Sequence, residues 1–416
     1  MKGAAKMKTK KLPKYRGLVG TGYRELSHMI ADPVYGTVGT SRVLLEALQQ
    51  GDAAPSDFSI RPLFEVFVPG GREYLQEYHS GGLSTRTANL LESGVVKSSQ
   101  FANITGQIVY SETLKYYEDE EFVFTKEVPN MPSKFLGPEK IAGIGRIGDT
   151  GIEAVPEGMP FPYVSPVEDF VHAPSVEKRG EICSLSWEVV YSDRTSDLLQ
   201  RASELGHWMG YEKEKRIIDC FVDEGAGAKS AMAGGFRYHW RDTSYATHQA
   251  TTPWVNIKTS NALVDWTDIE AAELILSRIV DQNTGAVIMI DPDCLVVTKQ
   301  LEYTARYIIQ ATSLAINTGG YATSGTPTRF EMANFLPKYK IITSRLLETR
   351  MATDTDWYLA NIKKMMRYKE CQPLQTEQAP DNFPDNFTRK IVSQWMCWEA
   401  GAPFVFDPRF VCESRA

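Results

Sequence analysis

EICSLSWEVVYSDRTSDLLQRASELGHWMGYEKEKRIIDCFVD, residues 181–223, changes its apolar period once, and that change decides the fold. Cys183, Leu185, Trp187 and Val189 alternate with polar neighbours, the period of a half-buried strand. SDRTS (192–196) then supplies helix N-cap residues. Beyond it, Leu198, Ala202, Leu205, Met209, Arg216 and Cys220 trace one stripe at helical spacing, with Leu199, Ile217 and Phe221 beside it. The spacing predicts a helix from about Thr195 to Phe221 that stops at Gly225, roughly 40 Å long at 1.5 Å per residue. Its other side carries KEKR and further charges. A helix of this length reads as a structural spine rather than a site.

Upstream, GIGRIG (143–148) matches G-x-G-x-x-G letter for letter. The match binds a dinucleotide only where a buried strand precedes it and a helix follows. Gly137 and Pro138 are expected to interrupt any strand before it. Downstream stand Gly151, Gly158 and prolines 156, 160, 162 and 166, and proline in a helix interior removes a hydrogen bond and clashes with the preceding turn. The context therefore argues against a nucleotide loop and for a long Gly- and Pro-rich excursion.

The opening residues carry Lys2, Lys6, Lys8, Lys10, Lys11, Lys14 and Arg16 with no acid. They read either as a solvated terminus or as a basic arm on an acidic surface, and for a lone chain the first is favoured. Residues 17–85 mix loop signals with short elements, and 88–117 suggest short helical and strand pieces. EDEE (118–121) reads as a solvated turn rather than a cation site. Thr267 with Glu270 forms a candidate capping box for a helix through Ile269, Ala272, Leu276 and Ile279. AVIMI (286–290) and LVVT (295–298) read as strands about a DPD turn, and 299–313 as a helix. KYKIITSRLL, DWYLANI, IVSQWMCW and PFVFDPRFV read as β segments. The whole is mixed α and β.

The 416 residues suffice for more than one core, and 43% hydrophobic with 23% charged residues excludes global disorder. A net charge of −7 argues against DNA binding by the whole surface. No apolar run approaches a membrane span and no secretory leader is apparent, so the expected compartment is the cytoplasm. The six cysteines are scattered, as reduced thiols are. His239 and His248, nine residues apart, have no partner at metal spacing, and Asp291 and Asp293 flank a turn proline. No Walker A, G-x-S-x-G or H-E-x-x-H motif occurs. No catalytic residue, metal or cofactor is expected, which points to a structural protein.

In the order of its features the chain resembles the tailed-bacteriophage major capsid proteins of the Johnson fold, the fold shared with encapsulin shells, and most of all the Mu-like major head subunits. LLESGVVKSSQFANITG (90–106), VPEGMPFP (155–162), residues 181–223, IDPDCLVVTKQLEYTA (290–305) and WMCWEAGAPFVFDPRFV (395–411) carry the likeness. It implies an α+β fold with an N-terminal arm (1–87), a peripheral domain (88–136, 177–239 with the spine helix, and the C-terminal strands 386–416), an extended β-hairpin loop (137–176) and an axial domain (240–385). It implies self-assembly into pentamers and hexamers of an icosahedral shell around double-stranded DNA, in the virion, with portal, scaffold and cement proteins as partners and no membrane. Gly143, Gly145, Gly148, Glu157, Pro160 and Pro162 would then contact a neighbouring subunit. Lys8, Lys10, Lys11, Lys14 and Arg16 would form the basic arm. Two other readings stand beside this one. The first is an encapsulin-like compartment shell. The second is a cytosolic α/β enzyme that binds a nucleotide through GIGRIG, in which case mutating Gly145 would abolish that binding.

Overall fold

The computed structural model describes residues 23–33, 36–68, 70–79, 99–142, 154–161, 170–223, 238–240, 243–251, 254–281, 285–317, 329–334, 336–351, 353–380, 389 and 391–416. Helices and strands are mixed, as expected, and the chain divides into two compact units.

The first unit comprises residues up to Asp119, Arg179–Gly210 and Leu374–Glu399. Its N-terminal part differs from the extended arm expected for 1–87. Residues 23–79 form the helices Tyr23–Ala31, Gly36–Gln50, Ile60–Phe67 and Gly71–His79. Leu26, Leu44, Leu63 and Phe64 from these helices are buried in the unit's core with Phe101, Trp187 and Leu198. The sequence signals for turns were real, but they separate helices. Residues 88–117, expected as short pieces, include one continuous helix, Ser99–Tyr117.

The strand predicted over 181–190 ends earlier than its alternation suggests. It runs Glu177–Ser186, and Trp187–Tyr191 form a helical turn that buries Trp187, Val189 and Val190. The long helix follows at Thr195–Val222, within one residue of expectation, and contributes its first part to this unit. Its start also closes another helix. Asp193, held at φ 51°, accepts from Ser59 Oγ at 2.8 Å and from the Arg61 N–H at 3.3 Å. Thr195 Oγ1 accepts from the Ile60 N–H at 2.9 Å. Two orphan donors at the N-terminus of Ile60–Phe67 are thereby satisfied by residues far away in sequence. Close packing of the long helix on Ser99–Tyr117 depends on small residues: Thr113 Oγ1 donates to the Ala202 carbonyl at 3.2 Å, and Gly206 lies against the Thr113 carbonyl.

The second unit comprises Glu120–Lys178, Tyr211–Pro373 and Ala400–Ala416. Its centre is a five-stranded sheet in the order Lys340–Thr343, Cys294–Val297, Trp357–Ala360, Val411–Ser414, Ile257–Lys258. Leu295, Val297, Trp357 and Leu359 face the helices Trp266–Ser277 and Glu302–Gln310. Val296, Ile342 and Tyr358 on the other face pack with Ile217, Ile218 and Phe221. Burial on both faces explains why CLVV and WYLA read as continuous apolar runs rather than alternating ones.

Three local expectations are corrected in this unit. The helix at 266–277 is capped by Asp265, which accepts from the Thr267 N–H, with Asp268 completing the box, so the Thr267–Glu270 pair is not the cap. AVIMI makes a single bridge, Val280 to Val287, and belongs to no ladder among the described residues. KYKIITSRLL is a strand only to Thr343, then a helix at Arg345–Arg350 capped by Ser344.

In the second unit Asn130–Pro132 pairs parallel with Tyr368–Glu370, near the start of the strand Met366–Gln378. A four-stranded sheet runs Glu139–Ala142, Phe170–Ala173, Tyr238–Trp240, Thr243–Tyr245, all antiparallel.

Candidate assembly surface

The strands Glu139–Ala142 and Phe170–Ala173 pair antiparallel, from Glu139 opposite Ala173 to Ala142 opposite Phe170. They flank residues 143–169 and so bring the two ends of the Gly/Pro-rich excursion together. This corrects the reading of its start: a short strand does precede GIGRIG, with Gly137 and Pro138 ahead of it rather than inside it. The strand's partner is antiparallel, whereas a dinucleotide fold needs a parallel one.

Buried groups fix this base. The Lys369 side chain is fully buried and its Nζ donates to the Gly137 carbonyl at 2.8 Å, with Glu139 Oε2 at 3.5 Å. Ser133 Oγ donates to Glu139 Oε2 at 2.8 Å, and the Val176 N–H donates to the Leu136 carbonyl at 2.8 Å. Val171 and Ala173 are buried beneath the second strand, and Lys140 Nζ lies 4.1 Å from the centre of the Phe170 ring. An ammonium group removed from water needs this kind of paired, hydrogen-bonded setting.

Midway along the excursion, Pro156–Met159 make a turn in which the Met159 N–H donates to the Pro156 carbonyl at 3.1 Å. Gly158 stands at its third position with φ +84°, the conformation a type II turn asks of that residue. Glu157 and Pro160 are exposed on this stretch. Met159 and Phe161, which sequence reasoning did not single out, are 64% and 82% exposed. Their signal was present: two large apolar residues between prolines, where no core helix or strand can form. Gly143, Gly145, Gly148 and Pro162 lie outside the described residues, as do Lys8, Lys10, Lys11, Lys14 and Arg16.

The other polar candidates have structural roles. His248 is buried, with its Nε2 2.9 Å from the Phe221 carbonyl and its ring against Tyr358. The side chain of His239 lies outside what the structure describes. Asp293 uses its backbone to join two segments, donating to Ala360 and accepting from Lys340. EDEE forms a turn ahead of the helix Val123–Glu127. That helix is closed by Glu214, whose carboxylate accepts from the Phe124 N–H at 2.9 Å and from the N–H and Oγ1 of Thr125, both at 2.7 Å. Burial pushes the Glu214 carboxyl above its ordinary range, and these hydrogen bonds pull it back only in part. Among the described residues no group of three or more His, Cys, Asp or Glu could hold a metal, and no helix is long and apolar enough to cross a membrane.

Residues 172–414 match the family model described as phage capsid protein, which is more than half of the chain. No curated protein matches. Among solved structures the chain is similar to a virus-like particle from Pyrococcus furiosus (9% identity, 74% of this chain and 97% of that one, TM-score 0.40). It is likewise similar to a structure from Mycobacterium phage Cain (14%, 70% and 89%, 0.39) and to the bacteriophage PhiM1 mature capsid (13%, 70% and 86%, 0.38). The chain belongs to the phage capsid protein family, and it is a structural subunit of a phage shell.

Proposed function

We propose that the chain is the major head subunit, which assembles into the pentamers and hexamers of an icosahedral shell around double-stranded DNA. The observation that carries this reading is the family match across residues 172–414. The antiparallel base at 139–142 and 170–173 supports a further part of it: residues 137–176 are the extended loop, which reaches a neighbouring subunit through exposed residues such as Glu157 and Pro160. Glycines let chemically identical subunits bend this segment differently at inequivalent positions, and prolines keep it extended. The peripheral domain comprises 88–136, 177–239 and 386–416, and the axial domain 240–385. The basic run from Lys8 to Arg16 lies on acidic surfaces of neighbours. Portal, scaffold and cement proteins are the partners, and assembly takes place in the host cytoplasm. Many modest interfaces closing on one another make such a shell hard to dissolve although each contact is reversible.

Electron microscopy with light scattering on the protein, expressed alone and with its neighbouring genes, tests the reading. Closed shells, or rings of five and six, are expected. Only small soluble species under both conditions would overturn it.

A further inference from the structure

Residues 131–135 and 139–141 line a shallow, open depression of about 460 Å³ within the second unit. Met131, Pro132, Phe135 and Ile141 supply its apolar lining, and Lys134, Lys140, Ser133 and Glu139 its polar one. Phe135 is 61% and its neighbour Leu136 47% exposed, so the chain leaves this surface uncovered by its own described residues. The cavity is nevertheless fixed in shape. Ser133 is tied through its N–H to the Glu370 carbonyl and through its hydroxyl to Glu139, and the Phe135 N–H donates to Ser133 Oγ at 3.1 Å. Lys369 clamps Gly137.

The turn at 156–161 has the complementary features. It presents Met159 and Phe161 to solvent, carries one negative charge at Glu157, and is stiffened by Pro156, Pro160 and the Gly158 turn. An apolar pair on a preordered backbone loses little freedom on docking. A volume of about 460 Å³ lies within the range of roughly 300–1,000 Å³ in which concave sites bury such groups. Of the charged groups that line the cavity, Lys140 stacks on Phe170 and Glu139 is engaged by Ser133 and Lys369, which leaves the exposed Lys134 to meet the single carboxylate of the turn. Phe161 does not fill the cavity of its own chain, since 82% of its surface is exposed.

We propose that the 156–161 turn of one subunit seats Met159 and Phe161 in the 131–141 cavity of a second copy of this chain, with Glu157 paired to Lys134 of that copy. The inference rests on the shell reading above and names the partner surface of the extended segment.

The test uses the full-length chain in two ways. Phe161→Cys combined with Phe135→Cys, oxidised in assembled particles, is expected to give a ladder of covalent multimers on a denaturing gel, with either single variant as the background control for native thiols. Separately, Glu157→Lys and Lys134→Glu should each raise the concentration needed for assembly about tenfold, and the double reversal should restore it. Both positions are exposed, so folding is preserved. Shells from the wild type with no ladder, or with only an intrachain disulfide, and with charge reversals that assemble normally, would overturn this docking while leaving the head-subunit reading intact. A wild type that assembles under no condition overturns both.

Discussion

The substitution Gly206→Ala probes the packing of the long helix directly. An added Cβ at Gly206 would stand 2.2 Å from the Thr113 carbonyl oxygen and 3.0 Å from that residue's Cα and carbonyl carbon. These are backbone atoms near the C-terminal end of the helix Ser99–Tyr117, so no side chain can swing aside; the two helices must separate by about 1 Å. Separation strains the hydrogen bond from Thr113 Oγ1 to the Ala202 carbonyl, one turn earlier on the same face. Overpacking of this kind costs about 1–3 kcal/mol, and the rigid neighbour places it near the top of that range. Alanine returns about 1 kcal/mol through its better helix propensity. The net loss is therefore about 2 kcal/mol, or a lowering of Tm by about 4–8 °C for a unit of roughly 150–250 residues. Thermal unfolding of the unassembled protein, followed by circular dichroism, reads this. Glu204→Ala, exposed on the same helix, is the control and should shift Tm by no more than about 1–2 °C. A Gly206→Ala protein as stable as the wild type, or more so, would show that the close approach of the helices does not require glycine.

Three more outcomes follow from buried charge and thiols. Arg350→Ala removes the guanidinium whose Nε and Nη2 grip Asp219, the latter at 2.6 Å from Oδ2, and should cost about 3–5 kcal/mol because the carboxylate stays buried; chemical denaturation measures it, and a loss below about 1 kcal/mol would refute the pairing. Glu214 has a folded-state pKa raised above its unfolded value, so the folded state holds more protons and this group's contribution to stability falls as pH rises from the ordinary carboxylate range through the raised pKa. Glu214→Gln should flatten that part of the stability profile, and an unchanged slope above the ordinary carboxylate range would contradict the burial argument. Cys371 is the one cysteine of the six that is not buried, while burial pushes Cys183 up to about 11 and Cys412 up to about 12. Iodoacetamide at pH 8 should therefore modify Cys371 first, and mass spectrometry of the folded protein showing faster modification at Cys183 would refute the placement.

How far the sequence could be read depended on whether an element's partners were local. The helix Thr195–Val222 was legible because twenty-eight residues at one period leave no other way to bury Leu198, Ala202 and Leu205. The strand before it was legible only to Ser186. Trp187 and Val189 keep the alternating pattern, but a helical turn buries Val190 as well, and two positions cannot distinguish the periods. AVIMI shows the opposite failure. Val287 and Met289 face outward, Ile288 and Ile290 pack against the core, and the alternation of a strand is complete. Among the described residues it has no ladder partner beyond the bridge to Val280, and pairing is a tertiary fact that a strand's own residues do not encode.

The same distinction separates the legible from the hidden parts of the assembly surface. Glycines and prolines between 137 and 166 marked the excursion, because each restricts the backbone wherever it stands. The groups that hold its base were not legible. Lys369 lies more than two hundred residues from Gly137 and Glu139, and in sequence it is one of two lysines in KMMRYKECQ. A single buried ammonium aimed at a backbone carbonyl therefore carries more structural information about the excursion than its own glycines do. Lys369→Met keeps the volume but cannot donate to Gly137. If the base is held as argued, this substitution should leave the apolar packing of both units intact, so that Tm falls by no more than about 3 °C, while limited proteolysis within 137–176 accelerates about tenfold. Unchanged cleavage in this variant would mean that the strand pairing of Glu139–Ala142 with Phe170–Ala173 suffices by itself, and that the buried lysine serves the core rather than the excursion.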